Sequence, residues 1–155
     1  MKKVEPLPKG MGKVSQVFND ERTRGVYQQY GLDGHNGEDV SGWHLPVRSP
    51  IDGRVHYAGE GAGNGVLGAS AGRAILIESH DGTVMIELAH LDVIYVEAGQ
   101  YVSAGSYVAL SGNTGASSGP HLHWGALPLT GGDIDRENGF MGRVDPREWL
   151  AGGYE

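Results

Sequence analysis

The sequence predicts an all-β fold of short strands with one short C-terminal helix. Three observations predict it. Aliphatic and β-branched residues come in short runs, as at 74–78 and 83–88. Glycine is abundant, 27 of 155 residues, and punctuates those runs along the whole chain. No long stretch repeats at the helical period.

Taken in order, residues 1–12 read as a flexible arm and residues 13–155 as a single domain. The turn Ser49-Pro50-Ile51-Asp52-Gly53 leads into a strand over 53–58. Residues 59–72, rich in glycine and alanine, read as a long mobile loop. Runs at 74–78 and 83–88 flank His80-Asp81-Gly82, a strong hairpin signal. Further strands are expected near 93–96, 100–103, 106–110 and 121–127. At the end, Asp145 as N-cap and Pro146 as first helical residue predict a short helix through Leu150. A weak repeat places glycine turns ahead of valine-bearing strands at 51–55 and 96–105. Its second copy resembles the turn of lipoyl-carrier and related hybrid-motif sheets, which speaks to fold and not to function.

Composition narrows the function. There are no cysteines, which excludes disulfides, cysteine zinc fingers and a cysteine nucleophile. A formal charge of −7 argues against non-specific nucleic-acid binding, which needs a basic footprint. No run approaches the ~20 apolar residues of a membrane span. The N-terminus begins with lysines but has no apolar core of a secretory signal.

The residues that carry chemistry are histidines. His121 and His123, two apart in an expected strand, share one face. Far upstream stands His35-Asn36-Gly37-Glu38-Asp39. Three nearby glycines make a helix costly there, and in an extended chain His35 and Asp39 share a face. Gly37 then sits between them without a side chain to obstruct an ion, and Glu38 points the other way. His35, Asp39 and His123 together make a set of two imidazoles and a carboxylate that suits zinc and leaves one position open. Water activation there needs a proton acceptor, and a developing oxyanion needs a donor. His121 is placed for one of these roles and His90 for the other. His44, His56 and His80 lack such partners and read as structural or surface residues, with His44 near enough in sequence to line the rim.

At this point the chain resembles the lysostaphin-type, LytM-like zinc peptidases of peptidase family M23. The matching stretches are Gly34 to Val40, Pro50 to Val55, Ala89-His90-Leu91, Val96 to Val102 and Ser111 to Trp124. Val144-Asp145-Pro146 with Trp149-Leu150 is similar to the family's C-terminal end. The resemblance runs from about residue 14 to 150. It implies one zinc ion per chain held by His35, Asp39 and His123, and a catalytic pair formed by His90 and His121. It further implies a lysostaphin-like, hybrid-motif-related, largely antiparallel β-sheet or sandwich with the site in a groove formed by glycine-rich loops, and hydrolysis of peptide bonds in peptidoglycan stem peptides or cross-bridges. Leu88 stands where the family often has tyrosine, Ser118 where threonine is commoner, and Trp124 where phenylalanine is usual. In some relatives an upstream tyrosine assists; here Tyr27 and Tyr30 are both candidates.

The expected partner is peptidoglycan peptide, without nucleic acid or membrane insertion, and the expected state is a monomer. The stretch from Tyr27 to Gly37 is most similar to phage-encoded members, so action on the bacterial wall without a secretory signal is expected. The alternatives are a non-catalytic LytM-like module that binds peptidoglycan or activates another hydrolase, and a sugar-phosphotransferase subunit. The first predicts no stoichiometric zinc, and the second needs no His, Asp, His set.

Overall fold

The structure, a computed structural model, describes residues 1–153; the expected domain boundary at 155 lies outside them. One nine-stranded sheet organises the chain. Its strands are β1 (Lys13–Gln16), β2 (Glu38–Ser41), β3 (Pro46–Arg48), β4 (Gly53–Glu60), β5 (Arg73–Ser79), β6 (Val84–Ile94), β7 (Tyr101–Val102), β8 (Tyr107–Ser111) and β9 (His121–Pro128). The main path runs β1-β2-β9-β6-β5-β4-β7, with β8 joining β3 to β6. Every strand pair is antiparallel.

Alternation along the central strands feeds two apolar clusters, one on each face. Ile75, Ile77, Ile86, Leu88, Leu122 and Trp124 enter the larger. Ala74, Leu76, Met85, Ala89 and Leu127 enter the smaller. Each large aliphatic side chain removed from water there contributes about 1.5–3 kcal/mol. Strands β5 and β6 meet through the expected turn, where Gly82 has φ 72° and the Ser79 hydroxyl accepts from the backbone of Thr83 and Val84.

The C-terminal helix forms as the sequence predicts. In α2 (Pro146–Leu150) the Asp145 carboxylate accepts from the Arg147 backbone N–H, and Trp149 is buried against Trp124. A second helix, α1 (Arg24–Gln28), was not expected; it buries no residue and carries no periodic apolar face to announce it. Strands β1, β2 and β3 are three or four residues long, too short for alternation to show.

The arm and the loop have more structure than their composition suggests. The Val4 N–H donates to the Pro50 carbonyl, the Arg48 N–H donates to the Pro6 carbonyl, and Leu7 enters the larger cluster. The loop stretch begins inside β4 and holds two 3-10 turns, Gly61–Gly63 and Ala69–Ala71, with Leu67 and Ala71 packed into the smaller cluster.

Candidate metal centre

Sheet register assembles the site. In β2 and β9, Asp39 lies opposite His123 and Ser41 opposite His121; in β6, Ala89 lies opposite His123 on its other side. Alternation then sends Asp39, His121 and His123 to one face, while Val40, Leu122 and Trp124 enter the larger core on the other. Glu38 faces away from Asp39, as an extended segment requires. Its carboxylate accepts from Trp124 Nε1 and from Arg147 in the interior.

The three expected ligands converge. Their donor atoms lie within 4.8 Å of one another. Asp39 Oδ1 is 3.2 Å from His35 Nε2 and 2.9 Å from His123 Nδ1. All three side chains are buried. His35 Nδ1–H donates to the Val17 carbonyl at 2.9 Å, which leaves Nε2 free to ligate. Gln16 Nε2 donates to Asp39 Oδ2 at 3.0 Å. Burial pushes the Asp39 carboxyl up, but hydrogen bonds from His123 and His35 outweigh it and hold the group well below the usual carboxylate range. Burial lowers His123, yet hydrogen bonds to Asp39 and Glu87 raise it to about 9. A buried carboxylate between two imidazole nitrogens fits a borderline cation such as zinc.

The other two histidines stand beside this set. His121 Nε2 is 3.6 Å from Asp39 Oδ2, and its Nδ1–H donates to the Gly119 carbonyl at 2.8 Å. His90 Nδ1–H donates to the Thr114 carbonyl at 2.7 Å. The two rings lie 4.6 Å apart between centroids. In each, a carbonyl fixes the tautomer and leaves Nε2 as the open acceptor. Burial, then repulsion from His123, lowers His90 to about 4, so the ring is neutral at neutral pH.

His90 reaches this face because β6 is irregular. Between the pairs Ile75–Leu88 and Arg73–Leu91, β5 advances two residues and β6 three. His90 takes a left-handed φ of 61° at that bulge. In a regular strand it would face opposite to Ala89, into the larger core; the extra residue re-aims it.

The remaining expectations resolve individually. Of the two tyrosines, Tyr27 approaches the site, with its ring 5.3 Å from that of His35, whereas Tyr30 is 78% exposed. Burial and the Asp39 charge both raise the Tyr27 hydroxyl. His44 stacks on Trp43 and pairs with Asp92. His56 sits 3.8 Å from Glu78, and His80 is exposed in its turn. The 59–72 loop meets the glycine-bearing stretch 112–119: a Cβ on Gly72 would fall 2.4 Å from the Thr114 carbonyl carbon, and one on Gly115 2.4 Å from Gly72 N.

Gly37 has a different role from the expected one. Its missing Cβ makes room for the His123 ring, at 2.5 Å from Cε1, and for the Trp124 carbonyl oxygen, also at 2.5 Å. A Gly37→Ala variant should therefore lose about 1–3 kcal/mol of stability through overpacking. It should also bind zinc at least about tenfold more weakly as His123 is displaced. Urea unfolding and competition with a chromophoric chelator measure the two effects. Sequence reasoning missed Gln16, Thr114, Glu87 and Arg143. Only Glu87 carried a signal, as a lone carboxylate among the aliphatics of β6.

The comparisons with known proteins agree with this geometry. Residues 33–135 match the family described as Peptidase family M23. Peptidoglycan DD-endopeptidase ShyA of Vibrio cholerae is 34% identical over 117 residues, covering 72% of this chain and 24% of ShyA. The chain spans about a quarter of the length of the first curated relatives it matches. A zinc-containing peptidase from Vibrio cholerae superposes with a TM-score of 0.65 at 31% identity, covering 84% of this chain and 39% of that one. The catalytic domain of lysostaphin from Staphylococcus simulans gives a TM-score of 0.64 at 24% identity, covering 96% and 89%. The antiparallel sheet is thus the lysostaphin-like fold. With the family match covering most of its sheet and all five clustered site residues, the chain belongs to peptidase family M23.

Proposed function

We propose that this chain is a zinc-dependent endopeptidase that hydrolyses peptide bonds in peptidoglycan stem peptides or cross-bridges. The observation that carries this reading is the convergence of His35, Asp39 and His123 beside two histidines with open Nε2 atoms. Family membership and the likeness to a peptidoglycan DD-endopeptidase support it. His35 Nε2, Asp39 and His123 would hold the ion. When bound, zinc supplies Lewis-acid polarisation and acidifies water.

The chain's own side chains do the rest. One of His121 Nε2 and His90 Nε2 accepts the attacking water's proton, and the other donates to the developing oxyanion once its ring is the imidazolium, protonated at both nitrogens. Their carbonyl-anchored tautomers keep both atoms available. The chain has no His-Glu-x-x-His segment, so no glutamate on that pattern serves as base. Tyr27, beside His35, borders the same space. We assign the activity to one domain over residues 13–155, acting as a monomer on the bacterial wall. Among the described residues no helix is long and apolar enough to cross a membrane.

Purified cell-wall sacculi provide the test. Zinc-loaded protein should release peptides bearing new N-termini, identified by mass spectrometry. A chelator should abolish the release and added zinc restore it. Undiminished release after zinc is stripped would overturn the metal-dependent reading. Zinc-loaded protein that releases nothing from walls of several cross-link types would overturn the substrate.

A further inference from the structure

Glu87 lies mid-strand in β6, one residue from Ile86 and Leu88, and is only 3% exposed. A carboxylate buried so deeply is costly unless paired. Its partner is Arg143, equally buried, from the C-terminal loop. Arg143 Nε donates to Oε2 at 3.1 Å and Nη2 to Oε1 at 2.7 Å, a two-pronged clamp. The guanidinium is itself fixed by the Val66 and Met141 carbonyls.

The clamp aims the carboxylate at His123. Glu87 shares the site face with Ala89, and Ala89 lies opposite His123. Glu87 Oε2 is 3.5 Å from His123 Nε2, while Nδ1 of the same ring faces Asp39 at 2.9 Å. The space between is kept open by Gly125, which pairs with Glu87 across the strands. A Cβ on Gly125 would lie 3.2 Å from Glu87 Oε2 and 3.3 Å from Arg143 Cγ, closer than such contacts normally run. A ligating imidazole needs its second N–H satisfied, and the acceptor sets both tautomer and ring orientation.

We propose that Glu87, clamped by Arg143, is a positioning residue whose carboxylate accepts a hydrogen bond from the Nε2–H of His123 and so commits Nδ1 to the metal. This rests on the zinc-centre reading above. It also gives the buried ion pair a purpose beyond anchoring the C-terminal loop. An anchor would need the clamp alone, not a carboxylate turned toward a ligand's far nitrogen.

Two measurements test it. In the zinc-loaded parent, 15N NMR of the histidine rings should find the His123 proton on Nε2. Zinc affinity, measured by chelator competition, should fall about 10–100-fold in the double variant Glu87→Leu/Arg143→Met, which removes clamp and acceptor together. Glu87→Gln, which keeps an acceptor oxygen, should lie between that variant and the parent. A His123 proton on Nδ1 overturns the inference, and this measurement needs no variant to fold. So does a folded double variant that binds zinc within about twofold of the parent, given that such outer partners usually matter tenfold or more. A parent that takes up no zinc overturns the metal-centre reading itself, and this inference with it.

Discussion

An Asp39→Ala variant is expected to lose both zinc and peptide release. Its Oδ1 is the atom toward which His35 Nε2 and His123 Nδ1 both point, at 3.2 and 2.9 Å. Without it, two buried imidazoles face each other across a gap with no anion between them. Removing one of three donors should cost about 3 kcal/mol or more of a total binding energy on the order of 10 kcal/mol. That corresponds to a loss of at least about 100-fold in zinc affinity. Atomic absorption on dialysed protein and release from sacculi would both register the change. A variant that retains one zinc per chain after dialysis and releases peptides at the parent's rate would remove Asp39 from the proposed ligand set.

A His121→Ala variant should behave in the opposite way toward the metal. His121 is not among the three converging donors, so zinc content should match the parent's. Turnover should nevertheless fall about 10²–10⁴-fold, the usual contribution of a positioned proton-transfer group. The loss should appear in kcat more than in KM. His90 supplies a separate pH signature in the unsubstituted protein, read by 15N NMR of the histidine rings. Its folded value is depressed to about 4, so its ring nitrogens should keep the chemical shifts of neutral imidazole until the pH approaches that value. If His121→Ala turns over at the parent's rate, the proton-handling role belongs elsewhere.

Much of the site was legible because it obeys strand alternation. Asp39, His121 and His123 share a face for the same reason that Val40, Leu122 and Trp124 share the other. The hairpin at His80–Gly82 and the cap at Asp145 were legible because turn and cap chemistry is local. What escaped has no local signature. The N-terminal arm is held by hydrogen bonds to Arg48 and Pro50 and by Leu7 in the larger cluster, partners distant in sequence that no local pattern of the arm announces. The Glu87–Arg143 pair joins residues 56 apart in sequence. Gly37 looked like space for an ion, yet the atoms it admits are the ring of His123 and the carbonyl oxygen of Trp124, contacts fixed by tertiary packing.

The bulge at His90 has a consequence of another kind. His90 faces His121 because β6 spends one more residue than β5 over the same span. That offset is a count, not an identity. Substituting Ala89 or Leu91 one at a time keeps the count, whereas deleting Leu91 would leave a regular strand in which the imidazole turns into the larger core, with His35, Asp39, His90, His121 and His123 all still present in the sequence. Part of the centre is therefore written as chain length, which a deletion library samples and a substitution scan does not.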